Sequence, residues 1–179
     1  MKKDTLIVRG KIQPDPTTGA IIPPIYQTAT YALEEVGKDK GFDYTRSANP
    51  TRQTMEEYLA IIEGGKYGVA FSSGMAAVDS CLKLLKAGDH IICSDDVYGG
   101  VSRHFNQILN NYNLEFTYVD SQIVSNIEAA IQPNTKMIWI ETPTNPLLKI
   151  TEYPFWCGFN FCNTCILTSF KFWCRFSYA

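Results

Sequence analysis

Short apolar runs alternate with segments of helical periodicity between residues 68 and 140 of the chain. Each apolar run has a length typical of a buried strand, and the runs are residues 68–71, 90–93, 114–119 and 136–140. The segments between them are predicted helices, and they are residues 75–85, 100–111 and 125–131. Because strands that alternate with helices over short connections pair in parallel through right-handed crossovers, this pattern predicts an α/β fold with a parallel sheet.

Prolines and glycines interrupt the first 49 residues, and they include Pro14, Pro16, Gly19, Pro23, Pro24, Gly37 and Gly41. Proline fixes φ and lacks a backbone N–H, so residues 1–49 are predicted to form an extended arm with little regular structure. Its apolar side chains would be costly in water, so the arm is expected to lie on another subunit or across its own domain. The first helix is predicted to begin at Asn49-Pro50 and to end at Gly64-Gly65.

Residues 151–179 differ in composition from the rest of the chain, because they hold four of the six cysteines and only three charged residues. We therefore divide the chain into an arm (1–49), a partial α/β domain (50–150) and an aberrant, aromatic and cysteine-rich tail (151–179). Cys162 and Cys165 have the Cys-x2-Cys spacing of zinc ligands, but structural zinc sites usually carry two such pairs or paired histidines. The sequence therefore predicts no metal site, and accidental cysteines in out-of-frame or unspliced sequence explain the tail better.

The charge balance and hydropathy limit the partners of the chain. Lys and Arg number 16 against 18 Asp and Glu, for a net charge of −2, which gives no electrostatic case for nucleic acid or an anionic membrane. No apolar run approaches the roughly 20 residues of a membrane-spanning helix, and the N-terminal apolar stretch is too short for a signal peptide. A cytoplasmic globular protein with a small-molecule ligand is the prediction.

Ligands of open parallel sheets bind at the carboxyl ends of the strands, so the residues that follow each predicted strand are candidates. Ser73, Gly74 and Met75 open a helix, where free backbone N–H groups and the helix dipole favour a phosphate; the alternative is an ordinary serine cap. The glycine fingerprints of dinucleotide and nucleoside-triphosphate sites are absent. A smaller phosphate compound is therefore favoured over a nucleotide.

Two further strand-following residues and one pair on the arm complete the candidates. Tyr98 precedes Gly-Gly, where its ring is available to stack on a planar ligand or to pack at a helix start. Asn145 precedes a proline, where its amide either contacts a ligand oxygen or closes an Asx turn. Tyr44 and Arg46 on the arm provide a phenol and a guanidinium that suit a phosphate.

Five sequence blocks in this order and spacing resemble one known family. They are residues 23–28 (Pro-Pro-Ile-Tyr-Gln-Thr), 44–52 (Tyr-Thr-Arg-Ser-Ala-Asn-Pro-Thr-Arg), 71–76 (Phe-Ser-Ser-Gly-Met-Ala), 95–100 (Asp-Asp-Val-Tyr-Gly-Gly) and 139–146 (Trp-Ile-Glu-Thr-Pro-Thr-Asn-Pro). Over about residues 5–150 the chain resembles the pyridoxal-phosphate-dependent trans-sulfuration enzymes of cysteine and methionine metabolism, and within them the cystathionine γ-lyases most. The resemblance implies the N-terminal portion of the aspartate-aminotransferase-like (type I) fold, truncated near residue 150.

The resemblance implies pyridoxal 5′-phosphate as cofactor, with phosphate contacts from two parts of the chain. Ser73, Gly74 and Met75 match the loop whose backbone holds the cofactor phosphate. Tyr44 and Arg46 match the arm pair that reaches the phosphate of a neighbouring subunit, in a family of homotetramers built from catalytic dimers. This match would explain the extended N-terminal segment.

The resemblance also implies roles at the cofactor ring. Tyr98 matches the tyrosine that stacks on the pyridine ring and takes part in proton transfer, and Asn145 matches the asparagine near the ring hydroxyl. The cofactor acts as an electron sink for a carbanion at the substrate Cα, while the protein supplies orientation and electrostatics. The implied reaction is the cleavage of cystathionine to cysteine, 2-oxobutanoate and ammonia.

The chain departs from the family pattern near Ile150. The family continues with an aspartate that pairs with the pyridine nitrogen and a lysine that forms the Schiff base, whereas the last aspartate here is Asp120. Lys171 is the one lysine of the tail, and it lies too close to Asn145 to match that block. We therefore expect these 179 residues alone to hold the cofactor weakly and to be inactive.

Three alternatives stay open at this point. Cystathionine γ-synthase and β-lyase belong to the same family, and the residues that choose the substrate lie mostly outside the matched segment. A non-catalytic, truncated or mis-spliced product that pairs with full-length subunits is the second alternative. A Rossmann-like nucleotide binder is the third, and the missing glycine fingerprint disfavours it.

Overall fold

The structure is a computed structural model that describes residues 3–9, 13–151, 163–168 and 171–176, the last two segments by their backbone. The chain divides into two compact units, Met1–Ser72 and Ser73–Ala179. The three-part division predicted from composition has different boundaries and stays a prediction.

Two helices belong to the first unit. Helix α1 (Lys3–Arg9) carries Asp4 in its first turn, where an acidic side chain interacts favourably with the helix dipole. Helix α2 (Pro50–Glu63) begins where the sequence predicts, because Asn49 accepts a hydrogen bond from the Thr51 N–H at 2.8 Å and Pro50 occupies the first turn. It ends at Gly64, whose φ of 69° is the left-handed conformation that favours glycine. Helix α1 was not predicted, so the arm is not irregular throughout.

The rest of the predicted arm has no long element, as expected, but it is anchored to the start of α2. Asn49 is buried, and its side-chain amide donates to the Tyr26 carbonyl and the Thr45 hydroxyl, both at 3.1 Å. Thr30 and Tyr44 form an isolated antiparallel bridge, which brings the two limbs of the arm together. The cap residue of α2 therefore also fixes the conformation of the arm around Tyr44.

The prediction of a strand at residues 68–71 is wrong. This segment is extended, but it pairs with no strand in the described part of the chain. It runs beside α2, where the Ala70 N–H donates to Glu56 Oε1 at 2.8 Å. A Cβ on Gly68 would lie 2.3 Å from the Glu56 carbonyl oxygen, so only glycine permits this approach. Val69 stays 71% exposed, which is incompatible with the buried strand that its apolar character suggested.

A five-stranded sheet forms the centre of the second unit. Its strands are β1 (His90–Ser94), β2 (Glu115–Val119), β3 (Thr135–Thr142), β4 (Asn163–Thr168) and β5 (Lys171–Phe176). The spatial order is β2-β1-β3-β4-β5, and every neighbouring pair is parallel except the antiparallel pair β4–β5. This confirms the predicted α/β fold with a parallel sheet, and it adds two strands from the tail.

Three helical segments connect these strands. They are α3 (Gly74–Leu82), α4 (Gly99–Arg103) with its continuation through a π-helical turn (His104–Ile108) and a 3-10 turn (Leu109–Tyr112), and α5 (Val124–Ala129). Each of the three begins within two residues of its predicted start, and α3 ends at Leu82, earlier than the predicted residue 85. In the described residues no helix is long and apolar enough to cross a membrane.

Apolar side chains cover the two faces of the sheet in separate clusters. On one face Phe105 stacks on Phe116 with ring centroids 4.7 Å apart and meets the Trp139 ring edge-on at 5.6 Å. Val78 and Leu82 of α3 bury their side chains in the same cluster, as the helical spacing predicts. The smaller cluster contains Ile92, Ile127, Ile138 and Ile140. The two clusters hold the strands in place, so the strand ends have fixed positions.

Candidate functional site

The N-terminus of α3 presents unpaired backbone donors. Ser73 caps the helix, and its hydroxyl oxygen accepts from the Ala76 N–H at 3.2 Å, so the ordinary serine cap is present. The N–H groups of Gly74 and Met75 make no hydrogen bond within the described residues. A Cβ at Gly74 would meet no atom within 4 Å, so the space beside these donors is open. The cap and an anion site are therefore compatible here.

Gly100 brings the start of α3 and the start of α4 together. A Cβ at this position would lie 2.4 Å from Tyr98 Cε1 and 3.2 Å from Met75 Sδ, so both side chains occupy the space beside the glycine. The Tyr98 side chain is 47% exposed, which leaves part of its ring accessible. Two of the residues that the sequence singled out, Met75 and Tyr98, are thus neighbours in space.

A buried carboxyl group joins Tyr98 to the loop that contains Asn145. Glu141 lies near the end of β3 and is 4% exposed, and its Oε2 accepts from the Tyr98 backbone N–H at 2.9 Å. The backbone N–H of Asn145 interacts with the same carboxyl group. The Asn145 side-chain amide makes no hydrogen bond within the described residues, so it does not close an Asx turn. The structure therefore also brings Tyr98 and Asn145 to one edge of the sheet.

A second buried carboxyl group makes the reciprocal connection. Asp96, two residues before Tyr98, accepts hydrogen bonds from the Thr144 hydroxyl and, at 2.9 Å, from the Leu147 N–H. Thr144 is 1% exposed, and its hydroxyl oxygen also accepts from the Lys149 N–H at 2.9 Å. The loop after β3 is thereby held from within and by the loop after β1.

Charged groups connect three strand ends at the same edge. Lys149 Nζ lies 2.9 and 2.8 Å from the two carboxylate oxygens of Asp95, and 3.6 Å from Asp120 Oδ1. Asp95 follows β1 and Asp120 follows β2, while Lys149 belongs to the segment after β3. The hydrogen bonds that Lys149 donates to Asp95 raise the pKa of Lys149, so this amine stays protonated and is not a nucleophile at neutral pH.

Burial also shifts the pKa of other titratable groups near this edge. It raises the pKa of the Glu141 carboxyl, although the N–H groups of Tyr98 and Asn145 act in the opposite direction. Burial raises the pKa of the Cys93 thiol as well, so Cys93 is a neutral core residue and not a nucleophile.

The predicted pair Tyr44 and Arg46 lies in the first unit. The Arg46 guanidinium carbon is 4.9 Å from the centroid of the Tyr44 ring, a cation–π arrangement. Both residues line an open groove together with residues 26–29 and Thr45. The pair is thus accessible from solvent in the groove.

Three residues of the tail that the sequence singled out lie outside the described side chains. Lys171 and Cys165 lie in β5 and β4, where the backbone alone is described, and Cys162 lies outside the described residues.

Sequence reasoning missed the roles of Asp96 and Glu141. Both were visible as polar residues that follow strands, but nothing in their spacing shows that each one reaches the other's loop. The signal that would find them is two carboxylates at the carboxyl ends of adjacent parallel strands, each beside a candidate ligand-binding residue. That signal requires the strand order, which places β1 beside β3.

The carboxyl edge of the sheet thus brings together unpaired backbone donors, an accessible aromatic ring and an uncommitted amide, and it is the edge at which proteins of the open α/β class bind their ligands. Comparison with known proteins makes the assignment specific. The family of Cys/Met metabolism PLP-dependent enzymes matches residues 4–160. The chain belongs to this family.

Individual relatives agree with the family match. The chain is 49% identical to cystathionine gamma-lyase of Bacillus subtilis (strain 168) over 152 residues, which cover 85% of the chain and 40% of that protein. It is 48% identical to a probable cystathionine gamma-synthase of Herpetosiphon aurantiacus over 137 residues, 76% of the chain and 43% of the relative. A cystathionine beta-lyase of Lactococcus lactis subsp. cremoris (strain MG1363) is 46% identical over 148 residues, 83% of the chain and 39% of the relative.

A solved structure extends the likeness to the fold. Cystathionine gamma-lyase from Lactobacillus plantarum, complexed with L-serine, matches with a TM-score of 0.79 and 45% identity, over 84% of this chain and 39% of that one. The chain therefore spans about two fifths of the length of the proteins it matches.

Proposed function

We propose that the chain is the cofactor-binding N-terminal part of a cytoplasmic trans-sulfuration enzyme of the cystathionine γ-lyase type. The proposed reaction of the whole protein converts cystathionine and water to cysteine, 2-oxobutanoate and ammonia. The observation that carries the proposal is the convergence of Met75, Tyr98 and Asn145 at one sheet edge, in a member of a PLP-dependent family.

The N-terminus of α3 fits the phosphate of pyridoxal 5′-phosphate. The unpaired N–H groups of Gly74 and Met75 would donate to phosphate oxygens, and the Ser73 hydroxyl retains its proton to donate because its oxygen serves as the cap. The positive end of the helix dipole adds to this attraction. Arg46 and Tyr44 would contact the phosphate bound to a partner subunit in a homo-oligomer, from the groove in which they lie.

The other two residues fit the aromatic ring of the cofactor. The half-exposed Tyr98 side chain would stack on the pyridine ring and move a proton at its phenol oxygen, and the free Asn145 amide would orient the ring hydroxyl. When bound, pyridoxal phosphate supplies an electron sink for the carbanion formed at the substrate Cα. The residues of this chain hold and orient the cofactor for that chemistry.

Removal of a single backbone donor tests the phosphate site. Proline at the first helical position lacks one N–H but is compatible with a helix start, and Ser73 already has the extended conformation that must precede a proline. We expect Gly74→Pro to weaken binding of pyridoxamine 5′-phosphate by about tenfold or more in equilibrium dialysis, the loss of one hydrogen bond to a charged group. Binding of unphosphorylated pyridoxamine should not change.

The matched control places proline at the first position of another helix. Val124 begins α5 after an extended residue, as Gly74 begins α3, but it lies outside the candidate site. Val124→Pro should leave the affinity for pyridoxamine 5′-phosphate unchanged. Equal losses in the two variants, or no binding by the unmodified chain, would contradict the proposed site.

The 179 residues by themselves are proposed to hold pyridoxal phosphate without a covalent bond and without turnover. The reason is that they contain no aspartate after Asp120 and, after Lys149, Lys171 alone. The measurement is a visible spectrum after pyridoxal phosphate addition and dialysis, repeated with Lys171→Ala. A retained absorbance band that Lys171→Ala abolishes, together with cystathionine cleavage, would refute this part of the proposal.

The β-lyase and γ-synthase reactions are the alternatives, because relatives with those names are nearly as similar as the γ-lyase. The products separate them. Pyruvate from cystathionine would indicate a β-lyase, whereas formation of cystathionine from cysteine and an activated homoserine would indicate a γ-synthase.

A non-catalytic partner role is the second candidate function, and the position of Tyr44 and Arg46 in an open groove favours it. The test mixes this chain with the B. subtilis γ-lyase carrying substitutions at its own equivalents of the pair. Recovery of cystathionine cleavage by the chain, but not by its Arg46→Ala variant, is the expected result for this role. No recovery would exclude it.

A further inference from the structure

Two buried carboxyl groups exchange contacts between the loops that carry Tyr98 and Asn145. Asp96, in the Tyr98 loop, binds Thr144 and Leu147 of the other loop, and Glu141, just before the Asn145 loop, binds the Tyr98 N–H. The two connections run in opposite directions across the carboxyl ends of β1 and β3. We name Asp96 and Glu141 together the carboxylate pair.

We propose that the carboxylate pair positions the Tyr98 ring and the Asn145 amide for the cofactor, with Glu141 as the main positioning residue. The inference rests on the proposed function, because it assumes that Tyr98 and Asn145 contact a bound ring. The Tyr98 N–H donates a hydrogen bond to Glu141, and the Asn145 N–H stabilises the charge of the same carboxyl group, which leaves both side chains free for the ligand.

The physical argument is that buried hydrogen bonds to a carboxylate restrict both loops strongly. Glu141 and Asp96 are 4% and 8% exposed, and a charge-assisted hydrogen bond is shorter and stronger than a neutral one in such surroundings. Asn145 is exposed, and the Tyr98 ring is 47% exposed with one edge beside Gly100, so packing restricts these two side chains only in part. Their backbone anchors therefore contribute to where the ring and the amide lie.

The burial of Glu141 is better explained by a role in positioning the two loops than by a contribution to stability. Taking a carboxylate out of water is costly, and an apolar side chain of similar size in a strand would avoid that cost. Burial raises the pKa of the Glu141 carboxyl, which shows that its charged form is disfavoured by the loss of water in this fold. The two N–H contacts offset part of it, and they are made to the two residues whose side chains the proposed cofactor requires.

The test compares Glu141→Leu and Glu141→Gln with a matched control at the opposite edge of the sheet. Leucine removes both acceptor oxygens, whereas glutamine keeps one. Glu115 begins β2 at the amino edge and accepts one hydrogen bond, from Asn134 at 3.1 Å, so Glu115→Leu removes a carboxylate far from the two loops. All variants are made in the full chain.

Two readouts report on position without any cofactor. The first is hydrogen exchange of the Tyr98 and Asn145 amides by NMR, with the core amides of Ile92 and Ile138 as references. The second is the 19F resonance of 3-fluorotyrosine introduced at position 98. A third readout, the affinity for pyridoxamine 5′-phosphate, connects position to ligand binding.

For Glu141→Leu we expect about tenfold faster exchange at Tyr98 and Asn145, unchanged exchange at Ile92 and Ile138, a shifted and broadened 19F line, and about tenfold weaker ligand binding. Glu141→Gln should lie between Glu141→Leu and the unmodified chain, and Glu115→Leu should change none of these readouts.

Three results would overturn the inference. They are unchanged exchange and 19F signal in Glu141→Leu, equal acceleration at the core amides, which would mean that Glu141 supports the whole sheet, and an effect of Glu141→Gln as large as that of Glu141→Leu. If the unmodified chain does not bind pyridoxamine 5′-phosphate, the proposed function fails, but exchange and the 19F line still decide whether the carboxylate pair positions the loops.

Discussion

Gly100 offers a direct way to move the Tyr98 ring without touching the tyrosine. A Cβ added at Gly100 would lie 2.4 Å from Tyr98 Cε1 and 3.0 Å from Cδ1, whereas ordinary contact begins at 3.4 Å. The ring must therefore withdraw by about 1 Å, the difference between contact and overlap at Cε1. Because the side chain is 47% exposed, it has room to rotate toward solvent.

The free energy of unfolding should fall by no more than about 2.5 kcal/mol in Gly100→Ala. Overpacking costs about 1–3 kcal/mol, and alanine in place of glycine in a helix returns about 0.5–1 kcal/mol. The net destabilisation is then about 0–2.5 kcal/mol, and the exposure of the ring favours the lower end. Ligand binding should change more specifically, because loss of an aromatic contact of about 0.5–1.5 kcal/mol lowers affinity by about two- to tenfold.

The assay is equilibrium dialysis with pyridoxamine 5′-phosphate, alongside thermal unfolding followed by circular dichroism. The matched control is Gly99→Ala, whose new Cβ would meet only the end of the flexible Arg103 side chain, at 3.3 Å. We expect this control to bind like the unmodified chain. Full affinity in Gly100→Ala, or an equal loss in Gly99→Ala, would refute the argument that the Tyr98 ring is held beside Gly100 for the ligand.

Two further predictions concern the fold that supports the site. Phe105→Ala should lower the free energy of unfolding by about 3–5 kcal/mol, because Phe105 is fully buried between Phe116 and Trp139; urea unfolding measures this, and a loss below about 1 kcal/mol would contradict it. Burial lowers the pKa of His90, so the unfolded chain binds more protons between the two pKa values and stability is lost as pH falls below about 6.5. His90→Gln should remove this part of the pH dependence, and an unchanged pH profile of the urea midpoint would count against it.

The central strands could be predicted because burial on both faces leaves a continuous apolar run. All five residues of β1 are buried, and its predicted range differs from the observed one only by Ser94. The start and end of α2 could be predicted for a different reason, since Asn49, Pro50 and Gly64 act through local capping geometry that the sequence states directly. Both patterns involve residues that are close in the sequence, and such patterns are enough to identify individual helices and strands.

The elements that were predicted wrongly or missed are those for which neighbouring residues do not give enough information. Residues 68–71 have strand-forming composition, but a strand requires a partner, and in the described part of the chain this segment contacts α2 instead. Helix α1 has seven residues, fewer than two full turns of pattern, so periodicity could not reveal it beside the prolines of the arm. Composition also gave no indication that residues 163–168 pair in parallel with β3.

The candidate site shows the same boundary between local and non-local information. Tyr98 and Asn145 could be singled out because each follows a strand, but the reason that they meet is not local. Glu141 reaches the backbone of a residue 43 positions earlier, and Asp96 reaches one 51 positions later. These contacts exist because β1 and β3 are adjacent and parallel, so their loops leave the sheet side by side. A single carboxylate at a strand end does not indicate in a sequence that two loops meet. Two carboxylates on adjacent strands do indicate it when each lies beside an exposed aromatic or amide side chain, because the fold then holds the two loops together.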